Sequence, residues 1–450
     1  MIFSLLIILF VLILSIKSYR TGFVFVFLCQ IILPTHAVFS GINLNIVLLA
    51  ALFFAHVFFI KGKKDPFPKG IGKILALYFF LTFVLMFFAK EMSIMSQLNW
   101  FIKKSVKMFA LGYLGWFAFK DITEIRKFIS FLLLFFSILG LYGVFEYVFK
   151  VNPIADISNV IWGEYEMEAD ADYYINEARG MLSGRIKGTT VHPLTWGQVF
   201  LIAFSFFILF QKFYKFSIST LLIFALILLN IFLTGSRSAL VPTAFVIMVA
   251  FLQLKGKTKF FSISLLLFGF LCVFLLLPNT IPIQEIISTF KGFIVFWDDS
   301  SGSEIGGSSL LMRENQFLYS LQMLSENLFT GLGVGYLTTL TIGSEELNNL
   351  LGVESIMFVI LIEQGILGII IFLLLYTQLF FCTKKEERKV LKKKHLISSL
   401  AACFIAYLVA ITMTGDRGVF SVFFSFLILY MKYLKLNQLE NKNKIWKQQE

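Results

Sequence analysis

The stretch from Ser217 to Leu254 decides the fold. It reads SISTLLIFALILLNIFL over 217–233, TGS over 234–236 and RSALVPTAFVIMVAFLQL over 237–254. Each outer part is an apolar run of about 17 residues, the length that an α-helix needs to cross the hydrocarbon core of a bilayer. Only three small residues separate the runs. The pattern therefore predicts two membrane-spanning helices joined by a tight turn, with Arg237 at the start of the second.

The rest of the chain follows the same pattern. Of 450 residues, 58% are hydrophobic, 17% aromatic and 15% charged, against roughly 25% charged in soluble proteins. This composition excludes soluble α/β and all-β folds, because no soluble interior buries so much apolar surface. It predicts an all-α polytopic membrane protein with about 13 (12–14) transmembrane helices. The apolar segments are 2–16, 22–40, 44–60, 72–89, 101–119, 128–149, 196–211, 217–233, 237–254, 260–277, 355–381, 396–413 and 419–434.

The net charge of +12 follows membrane topology and does not indicate nucleic-acid binding. Lys and Arg residues lie in short clusters between apolar runs, and 27 of the 39 fall on one side of the alternating segments. The positive-inside rule assigns that side to the cytoplasm. Two long polar loops then lie outside the cytoplasm, where we expect any chemistry to take place.

These features divide the chain into six parts. They are N-terminal transmembrane helices (1–149), a first extracytoplasmic loop (150–195), central transmembrane helices (196–277), a second extracytoplasmic loop with an amphipathic helix (278–354), C-terminal transmembrane helices (355–434) and a cytoplasmic tail (435–450).

Two short polar stretches in and after the first loop are candidates for anion binding. One is the turn before the second helix of the opening pair, in which Ser236 and Arg237 stand at a helix N-terminus, a place that favours anions. Guanidinium matches phosphate with two parallel hydrogen bonds. A snorkelling arginine at the membrane interface is the alternative explanation for Arg237.

The other stretch is GRIKGTTVHPLTWGQ, residues 184–198, which offers Arg185, Thr189 and His192. A histidine in such a place is more often a structural hydrogen-bonding group than a base. Trp196 is predicted to be an aromatic anchor at the membrane interface.

The second loop and the helix after it supply three further candidates. Arg313 lies near the start of an amphipathic helix predicted to begin after Ser308 or Ser309. A glycine run, 331–335, follows; it lacks the strand and the GK[ST] motif of a nucleotide loop. Glu354 stands at the mouth of the next spanning helix, where a carboxylate can take a proton. Glu363 lies deeper and is predicted to face the helix bundle.

Together these stretches resemble the O-antigen ligase/O-antigen polymerase superfamily of bacterial envelope glycosyltransferases. The resemblance rests on R-x-x-G-T-x-x-x-P at 185–193, T-x-S-R at 234–237, the arginine-led helix running into T-G-x-G-x-G at 313–335, and E-x-G-[IL]-x-G at 363–368. Ligases of this superfamily usually carry a His-Asn pair where this chain has Glu354 and Ser355. An acidic residue there looks more like the polymerase branch.

The resemblance implies a GT-C-like membrane glycosyltransferase that needs neither cofactor nor metal. Its substrates would be undecaprenyl-diphosphate-linked glycans, as donor and as acceptor, in the lipid bilayer of the bacterial cytoplasmic membrane, with the active site on the extracytoplasmic face. Arg185, Arg237 and Arg313 would stabilise the departing diphosphate, Ser236, Thr189 and His192 would bind substrate, and Glu354 would act as base. A chain-length regulator and a flippase would be partners by family likeness. Ligase-type transfer of finished glycan to another acceptor and a non-enzymatic polysaccharide transporter remain alternatives.

Overall fold

A computed structural model describes the helical core of the protein. The described residues are 2–34, 36–58, 66–89, 91–163, 178–179, 182–190, 192–210, 217–253, 310–324, 327–340, 355–390, 398–413 and 419–446. Within them there are fourteen α-helices: α1 (Ile2–Lys17), α2 (Tyr19–Ile32), α3 (Leu44–Phe58), α4 (Lys69–Met86), α5 (Ile94–Ala118), α6 (Ile122–Phe149), α7 (Pro153–Trp162), α8 (Pro193–Leu209), α9 (Ile218–Leu233), α10 (Arg237–Leu252), α11 (Leu310–Met323), α12 (Ile356–Val390), α13 (Ser399–Met413) and α14 (Phe420–Trp446).

The strands are two short antiparallel hairpins, β1 (Val38–Phe39) with β2 (Ile42–Asn43), and β3 (Ala178–Arg179) with β4 (Leu182–Ser183). A single turn of 3-10 helix covers Tyr336–Thr338. The prediction of an all-α architecture is therefore confirmed for the residues described. Every predicted apolar segment contains a helix except 260–277, which lies outside the described residues.

The outer surface of the bundle is apolar, as lipid requires. Large hydrophobic side chains of α1, α4 and α6 are exposed, including Ile13, Phe80 and Leu141. Soluble monomers rarely expose contiguous apolar surface on this scale. Three of the described helices, α4, α6 and α12, are long and apolar enough to cross a membrane unaided, and seven shorter apolar helices accompany them. The chain is thus built for membrane insertion.

Several helix boundaries differ from the predicted segments, and the end of α2 has a clear physical cause. The apolar segment 22–40 was expected to be a single helix, but α2 ends at Ile32. Pro34 explains this end, because the residue before a proline is disfavoured in the α conformation. Ser40 and Gly41 then adopt positive φ in the turn of the β1–β2 hairpin. The chain therefore re-enters the bundle through a tight hairpin at this point.

Two helices form the centre of the bundle. From Val419 to Leu434 the residues at the start of α14 are buried on every face, and the same is true of α8 from Trp196 to Phe207. Helix α14 packs on α5 and α12, while α8 packs on α9, α10 and α13. A helix that is apolar all round is buried in this way. Helices that expose large apolar side chains, such as α1, α4 and α6, lie outside these two.

Helix α12 is long and broken. Its 35 residues contain one non-helical residue, Gly365, with φ 65° and ψ −165°. The glycine run of the second loop lies against this break. Leu332 N and Gly333 N donate to the carbonyls of Ile362 and Glu363, both at 2.9 Å. In the other direction, the amides after Gly365 donate back to the loop, from Ile366 to Leu328 at 3.0 Å and from Leu367 to Phe329 at 3.1 Å.

Candidate functional site

The two anion-binding stretches predicted from the sequence are in direct contact. The Arg185 Nε donates to the carbonyl of Thr234 at 2.9 Å, and the neighbouring amide of Ile186 donates to Leu233 at 3.2 Å. The loop 184–190, which we call the arginine loop, is thereby fixed onto the turn between α9 and α10. Arg185 and Lys187 are only 3% and 5% exposed. Burying two cations costs free energy, so the burial of Arg185 and Lys187 is unusual and calls for a structural or functional reason.

A carboxylate that the sequence reading missed holds the arginine loop. Near the end of α6, Glu146 accepts hydrogen bonds from the amides of Lys187 (3.1 Å) and Gly188 (2.7 Å) and from Asn152 Nδ2 (2.8 Å). Asn152 also donates to the carbonyl of Gly188 at 2.8 Å, and its own Oδ1 accepts from Tyr142 at 2.6 Å. Charge-assisted bonds of this kind are stronger than neutral ones. A lone acid one turn from the end of an apolar run is the sequence signal that could have identified Glu146.

Arg237 begins α10 on the same turn. Its side chain is half-buried, and Ser236 before it is buried and hydrogen-bonded through its hydroxyl to Ser238 at 2.8 Å. The Ser236 amide donates to the Thr234 hydroxyl at 3.3 Å. Gly197 of α8 allows this turn to pack closely, because an added Cβ there would meet the Ala239 Cβ at 3.0 Å. The structure therefore places Arg185 and Arg237 on two adjoining turns.

Two of the smaller candidates make contacts within the protein. The Thr189 hydroxyl is buried and donates to the carbonyl of Ile31 at 3.1 Å, which ties the arginine loop to α2. His192 is the N-cap of α8, and its Nδ1 accepts from the Leu194 amide at 3.1 Å. These contacts favour positioning roles for both residues.

Trp196 is buried inside the protein and does not face lipid, so its predicted role as an interfacial anchor is wrong. The indole is completely buried and donates from Nε1 to Asn230 Oδ1 at 3.2 Å. Gly188 of the arginine loop lies against the ring at φ +57°, where an added Cβ would be 2.4 Å from it. A tryptophan tolerates burial when its N–H finds an acceptor. Trp196 thus packs against the arginine loop at Gly188.

The arginine loop also affects the protonation of His36, which lies in the connection between α2 and α3. His36 Nε2 lies 3.0 Å from the Ser158 hydroxyl of α7. Burial, and then the nearby Lys187 ammonium, lower the pKa of His36 below its usual value. Neutral imidazole is therefore the favoured form beside this cationic loop.

The side chains of the remaining two predicted site residues, Arg313 and Glu354, lie outside the described part of the structure. Arg313 lies in α11, whose backbone packs on α12, and its side chain is outside the description. Glu354 itself lies outside the described residues. Its neighbour Ser355 is buried, and its hydroxyl accepts from the Met357 amide at 3.2 Å at the start of α12. The chain thus enters α12 immediately after Glu354.

A second polar cluster lies between α5 and the break in α12. Lys104 Nζ and Glu363 Oε2 are 2.5 Å apart, and the prediction that Glu363 faces the bundle interior is confirmed by its exposure of 2%. The glycine run is held on its other side by α5. Gln97 Oε1 accepts from the Val334 amide at 3.2 Å, and Gly335 packs on Trp100.

The arrangement suits recognition of an anion at one end of a helical bundle. The arginine loop and the α9–α10 turn concentrate Arg185, Lys187 and Arg237. Guanidinium groups bind phosphate oxygens in pairs, and preorganised cations stabilise charge that develops on a leaving group. The turn carrying Arg237 is also a helix N-terminus, which favours negative charge.

Comparison with known proteins agrees with this geometry. Residues 222–373 match the family model described as O-antigen ligase. The matched stretch, about a third of the chain, includes Arg237, the glycine run and the break in α12. No curated protein matches the chain. The family consists of glycan-processing membrane proteins with glycosyltransferase-like activity, found in the bacterial inner membrane. Over residues 222–373, the chain is therefore similar to the O-antigen ligase family.

Proposed function

We propose that the chain is a membrane glycosyltransferase that polymerises undecaprenyl-diphosphate-linked repeat units into O-antigen, capsular polysaccharide or exopolysaccharide. The observation that carries this proposal is the contact between the two arginine-bearing turns, Arg185 Nε to Thr234 O at 2.9 Å. It joins a residue outside the matched stretch to the turn that carries Arg237 inside it. In the proposed topology, both turns lie on the extracytoplasmic side of the membrane.

The proposed reaction displaces a lipid diphosphate. A hydroxyl of the acceptor sugar attacks the anomeric carbon of the donor glycan, and the bond from that carbon to the diphosphate oxygen breaks. Arg185, Arg237 and Arg313 stabilise the negative charge on the departing diphosphate. Glu354 takes the proton of the attacking hydroxyl. We expect inversion at the anomeric carbon, because the proposed mechanism uses no carboxylate as a covalent nucleophile.

The polymerase is preferred over the ligase because of Glu354, which replaces the ligase-type histidine. Ligase-type transfer of finished glycan to another acceptor is the second candidate, and the match to the O-antigen ligase family favours it. The two reactions share the leaving group and differ in the acceptor. They are therefore separated by the product that accumulates when the protein is absent.

The first test measures the length distribution of surface and lipid-linked glycan in a deletion strain. The strain is complemented with wild type, Arg237→Lys, Glu354→Gln or the control Arg20→Lys, after equal amounts in the membrane have been confirmed. Arg20 pairs with Glu124 at an exposed site, so its replacement by lysine preserves the charge and should restore full length. Lysine at 237 keeps the charge but loses the paired hydrogen bonds of guanidinium.

Single repeat units in the deletion strain, with no recovery of length by Arg237→Lys or Glu354→Gln, are the expected result. If long lipid-linked chains accumulate but never reach their final acceptor, the protein is a ligase and not a polymerase. Unchanged chain length together with repeat units retained on the cytoplasmic side would indicate the transporter instead.

A further inference from the structure

The ion pair between α5 and α12 occupies an unusual place for charged groups. Lys104 lies ten residues after the start of α5 at Ile94, which is about 15 Å along the helix axis. Glu363 lies seven residues after the start of α12 at Ile356, about 10 Å along it. In the proposed topology, Lys104 lies close to the start of the spanning segment 101–119, whereas Glu363 lies well inside the segment 355–381. Charged side chains at such depth are costly and are found where they serve a function.

The side chains of Lys104 and Glu363 differ in their exposure to solvent. The Glu363 side chain is 2% exposed, whereas that of Lys104 is 39% exposed. The carboxylate is therefore closed off inside the protein, and the ammonium lies at its surface. An ammonium has three donors, and its hydrogen bond to Glu363 uses one of them. Lys104 is thus fixed by a buried anion from behind and can donate to a second anion in front.

The residues near Lys104 add positive charge and an aromatic surface. Lys103 is exposed, with its Nζ 5.1 Å from the centre of the Trp100 ring. Lys107 lies one helical turn after Lys104, on the same side of α5. Gly335 of the glycine run packs on Trp100, and Gly333 N donates to the Glu363 carbonyl at 2.9 Å. A strip of lysines therefore borders the place where the second loop enters the helix bundle.

A phosphate group attached to a lipid matches this strip in charge and in depth. A lysine can extend its ammonium toward the headgroup region while its alkyl chain stays among apolar groups. A polyprenyl phosphate places its chain in the hydrocarbon and its phosphate at that level. Electrostatic attraction to several lysines supplements the burial of the apolar chain.

We propose that Lys104, held by Glu363 and flanked by Lys103 and Lys107, binds the phosphate of a polyprenyl lipid at a site separate from the arginine loop. This proposal rests on the proposed function in one respect, because polymerisation needs two lipid-linked substrates at once. The arginine loop holds the diphosphate of the donor glycan. The lysine strip holds the phosphate end of the acceptor lipid, which keeps both carriers in the plane of the membrane.

The test measures binding of three probes to the purified full chain in nanodiscs, by native mass spectrometry and by titration. The probes are polyprenyl diphosphate, phosphatidylglycerol and inorganic phosphate. Wild type is expected to bind two molecules of polyprenyl diphosphate, and Lys104→Gln only one, with the affinity of the second site lowered on the order of tenfold or more. Lys120→Gln is the matched control, since Lys120 is an exposed lysine just beyond the other end of α5.

Because Lys104→Gln alone leaves a buried carboxylate without its partner, a second variant keeps the test informative. In Lys104→Gln/Glu363→Gln the pair becomes neutral and can still hydrogen-bond, so folding should be preserved and the second site should still be lost. Lys104→Arg should restore it. Glu363→Gln alone should strengthen phosphate binding, because the Lys104 ammonium then no longer shares its charge with a buried carboxylate. A purely structural pair would instead lose stability with no change in binding.

Four other outcomes would overturn the inference in distinguishable ways. Two molecules bound to Lys104→Gln, with one lost from Arg185→Gln, would remove the lysine site and leave the proposed function intact. Equal competition by phosphatidylglycerol would make the strip a general headgroup contact, and competition by inorganic phosphate alone would make it a soluble-anion site. No polyprenyl diphosphate bound to wild type would overturn both proposals.

Discussion

At the scale of single residues, Glu146 shows how a buried acid positions a loop without touching the reaction. Its two oxygens accept from three donors on the arginine loop and on Asn152, at 2.7 to 3.1 Å. Unsatisfied buried donors cost about 1–3 kcal/mol each. The conformation of the arginine loop, and with it the direction of Arg185, therefore depends on this carboxylate.

Replacing Glu146 by glutamine should lower both stability and activity. The amide group would face a backbone N–H donor, so we expect a loss of about 1–3 kcal/mol in the free energy of unfolding and shorter glycan in the complemented deletion strain. Thermal unfolding of the purified protein measures the first effect. Glu386→Gln is the control, because Glu386 pairs with Lys389 in an exposed i,i+3 contact worth a few tenths of a kcal/mol. Equal unfolding temperatures for the two variants would contradict the positioning role.

At the scale of elements, the break in α12 and the glycine run form one unit. Gly365 has a backbone conformation that is essentially restricted to glycine, and an added Cβ would lie 2.4 Å from the carbonyl carbon and oxygen of Phe329. Gly331 approaches equally closely, with an added Cβ 2.4 Å from the Gln364 amide nitrogen. Backbone hydrogen bonds across these contacts replace those that the helix loses at the break. The two glycine motifs therefore depend on each other.

Gly365→Ala should disrupt the packing of the glycine run against the break in α12. Both the strained φ and the backbone contact oppose a side chain, so we expect a destabilisation of roughly 2–4 kcal/mol and loss of polymer. The comparison is Gly72→Ala in α4, where no atom lies within 4 Å of the added Cβ and the change should be neutral or stabilising by up to about 1 kcal/mol. Thermal unfolding of both variants in the same detergent decides the matter. An unchanged midpoint for Gly365→Ala would show that the break is not required.

At the scale of the whole molecule, the distribution of Lys and Arg predicts an orientation that labelling can check. We expect Val160 of α7, which is 87% exposed, to lie outside the cytoplasm, and Lys389 at the end of α12 to lie inside it. In a chain without its four native cysteines, Val160→Cys should react with a membrane-impermeant maleimide in intact spheroplasts. Lys389→Cys should react only after permeabilisation. The reverse pattern would invert the topology and place the arginine loop in the cytoplasm.

The sequence was sufficient for the helices of the described residues, and insufficient for the internal contacts of the candidate site. Hydropathy located the spanning segments because lipid imposes their length. It did not distinguish lipid-facing from bundle-facing residues, since both are apolar, and for this reason Trp196 was assigned to the wrong environment. The contact of Lys104 with Glu363 spans 259 positions in the sequence, and no local pattern predicts such a pair. Pro34, by contrast, gave a readable signal for the end of α2.

The central position of α14 has a consequence for how the protein is made. Every other described helix leaves the ribosome before α14, yet α14 fills the middle of the bundle they form. Spanning helices are inserted first and associate afterwards, so the earlier ones must wait around an unfilled centre until α14 arrives. During that interval α5 lacks its main packing partner, and α12 can pack on α4 but not on α14. Arrest of synthesis at the α13–α14 connection would therefore yield inserted but unassembled helices.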